Sequence, residues 1–214
     1  MMFVSRRRLF AAVPAVLLAA ILIASAPVAR AQAPSAATEA AKFVQGLGDR
    51  AILELTDPKI GDAERVNRMR DLLTQSFDKE AVARFVLGTY WNRASEAERA
   101  EFIKLYETLV SYTYAGLFKK YSGETFQVLR ERELDGDTVV YSQINQPGGG
   151  QSIPIEILVR PSSGQFRAVD IKVEGISMPL THRKEYASVI QRNQGQVGGL
   201  LKILREKTVQ LEKN

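Results

Sequence analysis

Histidine occurs once in this chain, at His182, inside the basic run His182-Arg183-Lys184. A lone imidazole can act as a general base, but a nucleophilic triad or a zinc site needs a second histidine or a cysteine. The chain has no cysteine and no other histidine. The bland alternative is an exposed residue at a helix start. Paired carboxylates are the next chemistry to consider. The acids lie mainly on helix faces and strand exteriors, and Asp78, Asp170 and Glu174 read as polar structural residues. The glycines of Gly195 to Leu200 lack the preceding strand and the lysine of a phosphate-cradling loop. Ser111 to Tyr121 mixes aromatic and basic residues, as single-strand nucleic-acid binders do. Tyr112, Tyr114 and Phe118 read more simply as a helix's apolar arc, with Lys119 and Lys120 complementing its C-terminal dipole. No catalytic set stands out, no cofactor or metal is implied, and the balance points to binding.

The N-terminus changes the charge argument. Residues 1–31 begin with a basic segment, continue through an apolar run and end in Ala29-Arg30-Ala31. Those are the three regions of a cleaved secretory signal. Arg6, Arg7 and Arg8 before the run also fit a twin-arginine leader, so the export route stays open. This segment carries four of the five net positive charges of the chain, through Arg6, Arg7, Arg8 and Arg30. Residues 32–214 are therefore close to neutral, which removes the electrostatic case for nucleic acid. They are long enough for one domain with its own core, and the absence of cysteine suits a bacterial periplasm.

Residues 39 to about 87 read as three helices, broken by Asp57-Pro58 and Gly61 and with Asp78 as an N-cap. Ser95-Glu96-Ala97-Glu98 is a capping box opening a long fourth helix. Phe102, Leu105, Tyr106, Leu109, Val110 and Thr113 give it one apolar face, and Ile103, Val110, Tyr114 and Leu117 a neighbouring one. An arc this wide predicts cover on two sides. The period then switches to two. Four strands, near 126–134, 139–144, 153–159 and 166–174, are joined by turns that include Asp135-Gly136 and Ser163-Gly164. Residues from about Thr181 to Lys213 return to helix with a bend at Gly195–Gly199. The expected class is α+β: an antiparallel four-stranded meander packed against N- and C-terminal helices. Periodicity alone leaves open whether the layers seal against each other or enclose a pocket.

The ordered set Phe77-Asp78, Ala83-Arg84, Leu87-Gly88 with Trp91, the capping-box helix, Tyr121-Ser122-Gly123, Phe166 to Tyr186 and Gly195 to Leu201 resembles a known family. It is the periplasmic lipid-binding component of the Mla (maintenance of lipid asymmetry) ABC transport system, also called the toluene-tolerance family, with a hopanoid-associated branch. The resemblance implies a non-catalytic periplasmic carrier, monomeric, with a hydrophobic pocket for the acyl chains of a phospholipid. It implies shuttling between an outer-membrane lipoprotein complex and an inner-membrane ABC transporter with its own lipid-binding subunit. A hopanoid carrier and a cone-shaped α+β enzyme using Asp170, Tyr141 and Tyr106 are the alternatives. Carried onto this sequence, the lipid-binding lining falls on Phe85, Trp91, Tyr106, Leu109, Val110 and Tyr114 of the helices. From the sheet come Tyr141, Ile155, Ile157, Val169, Ile171 and Val173, with Ile176 and Met178 near the rim.

Overall fold

A computed structural model describes residues 38–213. The leader expected at 1–31, and the junction after it, lie outside the described residues. Four helices come first: α1 (Glu39–Leu55), α2 (Asp62–Ser76), α3 (Lys79–Leu87) and α4 (Glu96–Ala115). The strands β1 (Thr125–Leu134), β2 (Asp137–Asn145), β3 (Ile153–Ser162), β4 (Gln165–Val173) and β5 (Ile176–Ser177) follow, then α5 (Met178–Arg192) and α6 (Val197–Glu212). The class is α+β, as expected.

Helix ends sit where the sequence puts their caps. The Glu98 N–H donates to Ser95 Oγ at 3.2 Å, and the Ser95 N–H donates to the Glu98 carboxylate at 2.9 Å, completing the capping box. Asp78 accepts from the Ala81 N–H at 2.9 Å and opens α3. α5 begins at Met178, earlier than the predicted Thr181, because Ser177 caps it by accepting from the Leu180 N–H at 3.1 Å.

The strands form one antiparallel sheet in the order β1-β2-β3-β4-β5. Asp135 and Gly136 both have positive φ, as a two-residue hairpin turn between right-twisted strands demands. Glu174 and Gly175 repeat that geometry and fold back a fifth, two-residue strand beyond the four predicted. Register sorts the two faces. Val140, Ile157 and Ile171 stand in one row on the helix side. Arg130, Tyr141, Glu156 and Lys172 stand in a row on the other face, closed by a Lys172–Glu156 ion pair at 3.2 Å. Two bulges, at Val128/Arg130 and Leu158/Val159, break the ladder and increase the local twist.

Two apolar clusters hold the helices in place. One joins α1, α2 and the sheet through residues such as Val44, Leu55, Leu72 and Val159. The other joins α3, α4, α5 and α6 around Phe102, Trp91, Ile190 and Leu204. Gln45 of α1 closes the outer edge of β1: its side chain accepts from the Val128 N–H at 3.0 Å and donates to the Phe126 carbonyl at 3.2 Å. Arg65 is buried and ties α2 to the end of α1, donating from Nε to the Leu55 carbonyl at 2.8 Å and from Nη2 to the Asp57 carbonyl at 3.1 Å. Removing it strands two carbonyls at a tight junction. The Arg65→Leu variant should lose about 2–3 kcal/mol of stability, read as a lowered urea midpoint at unchanged slope.

Candidate functional site

Between the sheet and the helices the side chains leave a cavity of about 550 Å³, within the ~300–1,000 Å³ range of small-molecule sites. Its floor is the inward sheet row, with Ile155, Ile157, Ile171 and Val173. Its roof is α4, where Ile103, Tyr106, Val110 and Tyr114, drawn from both predicted faces, recur at helical spacing. Phe102, Leu105 and Leu109 of α4 pack in the α3–α6 cluster instead, so the wide arc is covered twice. α1 and α2 close one side with Leu47, Met69 and Leu72. The cavity meets solvent where the exposed Leu117 and Tyr121 join its wall.

Local backbone makes room for this shape. A Cβ on Gly48 would lie 2.2 Å from the Phe126 ring, so any side chain there would push the ring away from α1. Both residues line the cavity.

The polar groups on the helical wall are few, and those facing α5 and α3 are paired. Tyr106 Oη and His182 Nδ1 are 2.8 Å apart, and the two rings meet edge to face. Burial pushes the Tyr106 phenol far above its ordinary range, so it keeps its proton and can donate. Burial pushes the His182 imidazole below its ordinary value of 6.5, with Glu185 opposing. A neutral ring accepting at Nδ1 carries its own proton on the other nitrogen. The Tyr114 hydroxyl donates to the Met178 sulfur at 3.2 Å. Lys79 and Glu107 form an ion pair at 3.1 Å on the wall, and the Thr74 hydroxyl also donates to Glu107 at 2.5 Å.

Eight of the fourteen side chains singled out for the lining stand on the cavity wall: Tyr106, Val110, Tyr114, Ile155, Ile157, Ile171, Val173 and Met178. Six do not, each for a local reason. Tyr141 follows Val140 on β2, so alternation turns it to the opposite face, where the Arg130 guanidinium stacks 3.6 Å from its ring centroid. Val169 is the extra residue of the β3–β4 bulge, and Ala168 takes the inward position opposite Val159. Trp91 is buried in the α3–α6 cluster between the Arg84 and Arg99 guanidiniums. Phe85 is 41% exposed and lies under Arg183. Leu109 faces the seam of α4 with α5 and α6, outside the main cavity. Ile176 is 58% exposed on the fifth strand.

Other wall residues escaped nomination. Leu47, Met69, Leu72, Phe118, Phe126 and Ile153 all line the cavity. The amphipathic side of α2 and the inward parity of Ile153 were legible; which apolar stripe faces a gap and which faces a neighbour was not.

The three residues considered for catalysis do not converge. Tyr106 lines the cavity, Tyr141 is on the outer face, and Asp170 accepts the Ser177 hydroxyl at 2.8 Å. Among the described residues no three His, Asp or Glu side chains gather to hold a metal ion. What the arrangement can do is enclose hydrocarbon.

The lowered His182 value carries a stability consequence. As pH falls below about 6.5 the unfolded chain takes up this proton before the folded one. Stability from the neutral, Tyr106-bonded ring is complete above that pH and is lost as pH drops through the folded value. Urea unfolding at stepped pH from 7.5 to 5 should show this decline, and the His182→Gln variant should flatten it.

Comparison with known proteins follows the same geometry. The sequence model of the family described as MlaC protein matches residues 46–206. A curated relative, the intermembrane phospholipid transport system binding protein MlaC of Haemophilus influenzae, is 24% identical over 111 residues, 50% of this chain. The match spans about half of that relative, 52% of its length. Among solved structures, a phospholipid-binding protein from Ralstonia solanacearum in complex with a phospholipid superposes with a TM-score of 0.74. It is 22% identical, and the match covers 82% of this chain and 99% of that one, a likeness of fold.

Proposed function

The chain belongs to the MlaC family, and from that premise we propose that it carries a phospholipid, holding the acyl chains in the cavity between sheet and helices. The observation that carries this reading is the cavity itself, about 550 Å³ with a wall that is almost entirely apolar. Each methylene left in water costs about 0.8 kcal/mol. A diacyl lipid therefore does not cross an aqueous gap at useful rates without a shield for its tails. Tails offer no hydrogen-bonding groups, so recognition rests on area and shape. Met178 on the wall suits tails of differing length and unsaturation, because its thioether side chain adapts.

The surrounding biology is part of the same proposal. Residues 1–31 direct export and are removed after Ala31, and residues 32–214 act as one lipid-binding domain in the periplasm. The carrier does no chemistry on its cargo. It exchanges lipid with an inner-membrane ABC transporter complex and an outer-membrane lipoprotein complex. The named relative, an intermembrane phospholipid transport system binding protein, and the phospholipid complex of the structural neighbour support this direction.

Protein expressed with its leader and purified from the periplasm without detergent should carry one phospholipid in native mass spectrometry. Ile157→Trp fills the floor of the cavity and should cut that loading at least fivefold without lowering the melting temperature. Tyr141→Ala, on the opposite face, should leave loading unchanged. Lipid-free wild-type protein after such a preparation contradicts the carrier reading. A bound triterpenoid in place of a phospholipid redirects it to a hopanoid cargo.

A further inference from the structure

Phe85 and Trp91 stand outside the cavity, and arginines lie over both rings. Among the described residues five guanidiniums lie over aromatic rings, and four of them gather around the single turn Gly88–Tyr90 between α3 and α4. Arg84 and Arg99 sit 5.5 and 5.2 Å from the Trp91 ring centroid, Arg93 sits 5.6 Å from that of Tyr90, and Arg183 of α5 sits 5.1 Å from that of Phe85. Arg183 also seats against the turn itself. A Cβ on Gly88 would come 2.9 Å from its guanidinium, and the positive φ of Gly88, 55°, would strain any side chain there.

These cations are poorly matched by acids. Among the described residues the guanidiniums of Arg93 and Arg183 make no hydrogen bond or ion pair. Arg99 donates from Nε to the Trp91 carbonyl at 2.9 Å and keeps its terminal N–H groups. Arg84 meets Glu80 at 3.2 Å, an exposed pair one helical turn apart, which is the weakest kind and readily exchanged. The Glu98 carboxylate is committed to the Ser95 cap. Stacking on a ring holds a guanidinium in place and leaves its in-plane donors for carboxylates, which it meets two at a time. Thr89 in the turn and Leu180, one turn before Arg183 on α5, are exposed beside these arginines. Arginine with aromatic side chains is the composition of a protein-binding patch. A bilayer is met by flexible lysines and free apolar wedges; here the ring-held cations are all arginines, and one of them covers Phe85. The surface backs on the cavity: α3 and α5 line it with Val82 and His182, while Arg84 and Phe85 are exposed.

We propose that the arginine–aromatic surface around the Gly88–Tyr90 turn docks a partner protein that presents a patch of Asp and Glu carboxylates. The carboxylates bridge Arg84, Arg93 and Arg99 and displace Glu80, and an apolar side chain of the partner covers Leu180. Association through such a surface weakens as salt rises. This rests on the carrier reading, in which cargo passes to and from partners, and names the face that meets one.

Site-specific photocrosslinking in the cells that make the protein tests the face, with benzoylphenylalanine in place of Thr89 or Leu180 and, for contrast, of the exposed Leu53 on α1. Positions 89 and 180 should give an adduct with one protein whose crosslinked peptide is rich in Asp and Glu, and position 53 should not. Arg84→Glu combined with Arg93→Glu, both exposed changes, should cut the adduct at position 89 at least tenfold, and replacing the partner's acids by Arg should restore it. Phospholipid loading of the double variant in native mass spectrometry should equal that of wild type; where it falls, Arg93→Glu alone carries the comparison. No adduct at 89 and 180, an adduct with a peptide that lacks acids, or an adduct undiminished by the charge reversal overturns the docking face and leaves the carrier reading standing. So does wild-type protein that crosslinks lipid at position 89 and sediments with phosphatidylglycerol vesicles, because the face then meets a membrane. Lipid-free wild-type protein contradicts the carrier reading whatever the crosslinks show.

Discussion

The constraint on which the rest depends is that the apolar face of the sheet is held away from the apolar faces of the helices. A sheet with one greasy side normally collapses onto its helical layer at close-packed density. Here α1 and α2 pack on the sheet in one cluster, while α3 to α6 pack on one another in a second. Between them the inward sheet row and α4 face each other across about 550 Å³. An apolar wall of this extent with no hydrocarbon against it forgoes the dispersion contacts of a packed core. A fold that maintains this stand-off has a large gain available on taking up hydrocarbon.

The scaffold explains how the gap is kept. Bulges at Val128/Arg130 and Leu158/Val159 add twist and bend to the sheet. Gln45 pins the far edge of β1 to α1, and Arg65 pins α2 to the α1 terminus. Glu107 of α4 gathers Thr74 of α2 and Lys79 of α3 on the cavity wall. Gln45 thus ties the helical layer to the sheet, while Arg65 and Glu107 tie the helices to one another.

Much of this was legible in the residues. The capping box at Ser95 and Glu98, the Asp78 cap and the Asp135-Gly136 turn are local devices, and local rules recovered them. Strand parity was legible too, where it runs unbroken: Ile155, Ile157, Ile171 and Val173 alternate on one face and line the cavity. Parity failed where a bulge inserts a residue, as at Val169, because nothing in a single strand's pattern announces its partner's register. It also exposes Tyr141, whose place next to the inward Val140 puts it outside. Trp91 shows the other limit. Hydrophobic pattern says that a side chain is buried, and only the tertiary arrangement says whether it is buried against protein or against a gap. Gly48 is a poor helix former inside α1; its reason is Phe126, nearly eighty residues away.

The division of the wall gives the account its functional sense. Apolar rows on sheet and α4 meet tails through area, while paired polar groups, Tyr106 with His182 and Lys79 with Glu107, stand on the helical side. A phospholipid whose acyl chains carry bromine at mid-chain tests the central claim most directly, by anomalous diffraction from crystals of the loaded protein. The account predicts bromine peaks between Val110 and Ile171, inside the cavity. Peaks confined to the outer sheet face around Tyr141, or to the surface of the helices, would contradict it.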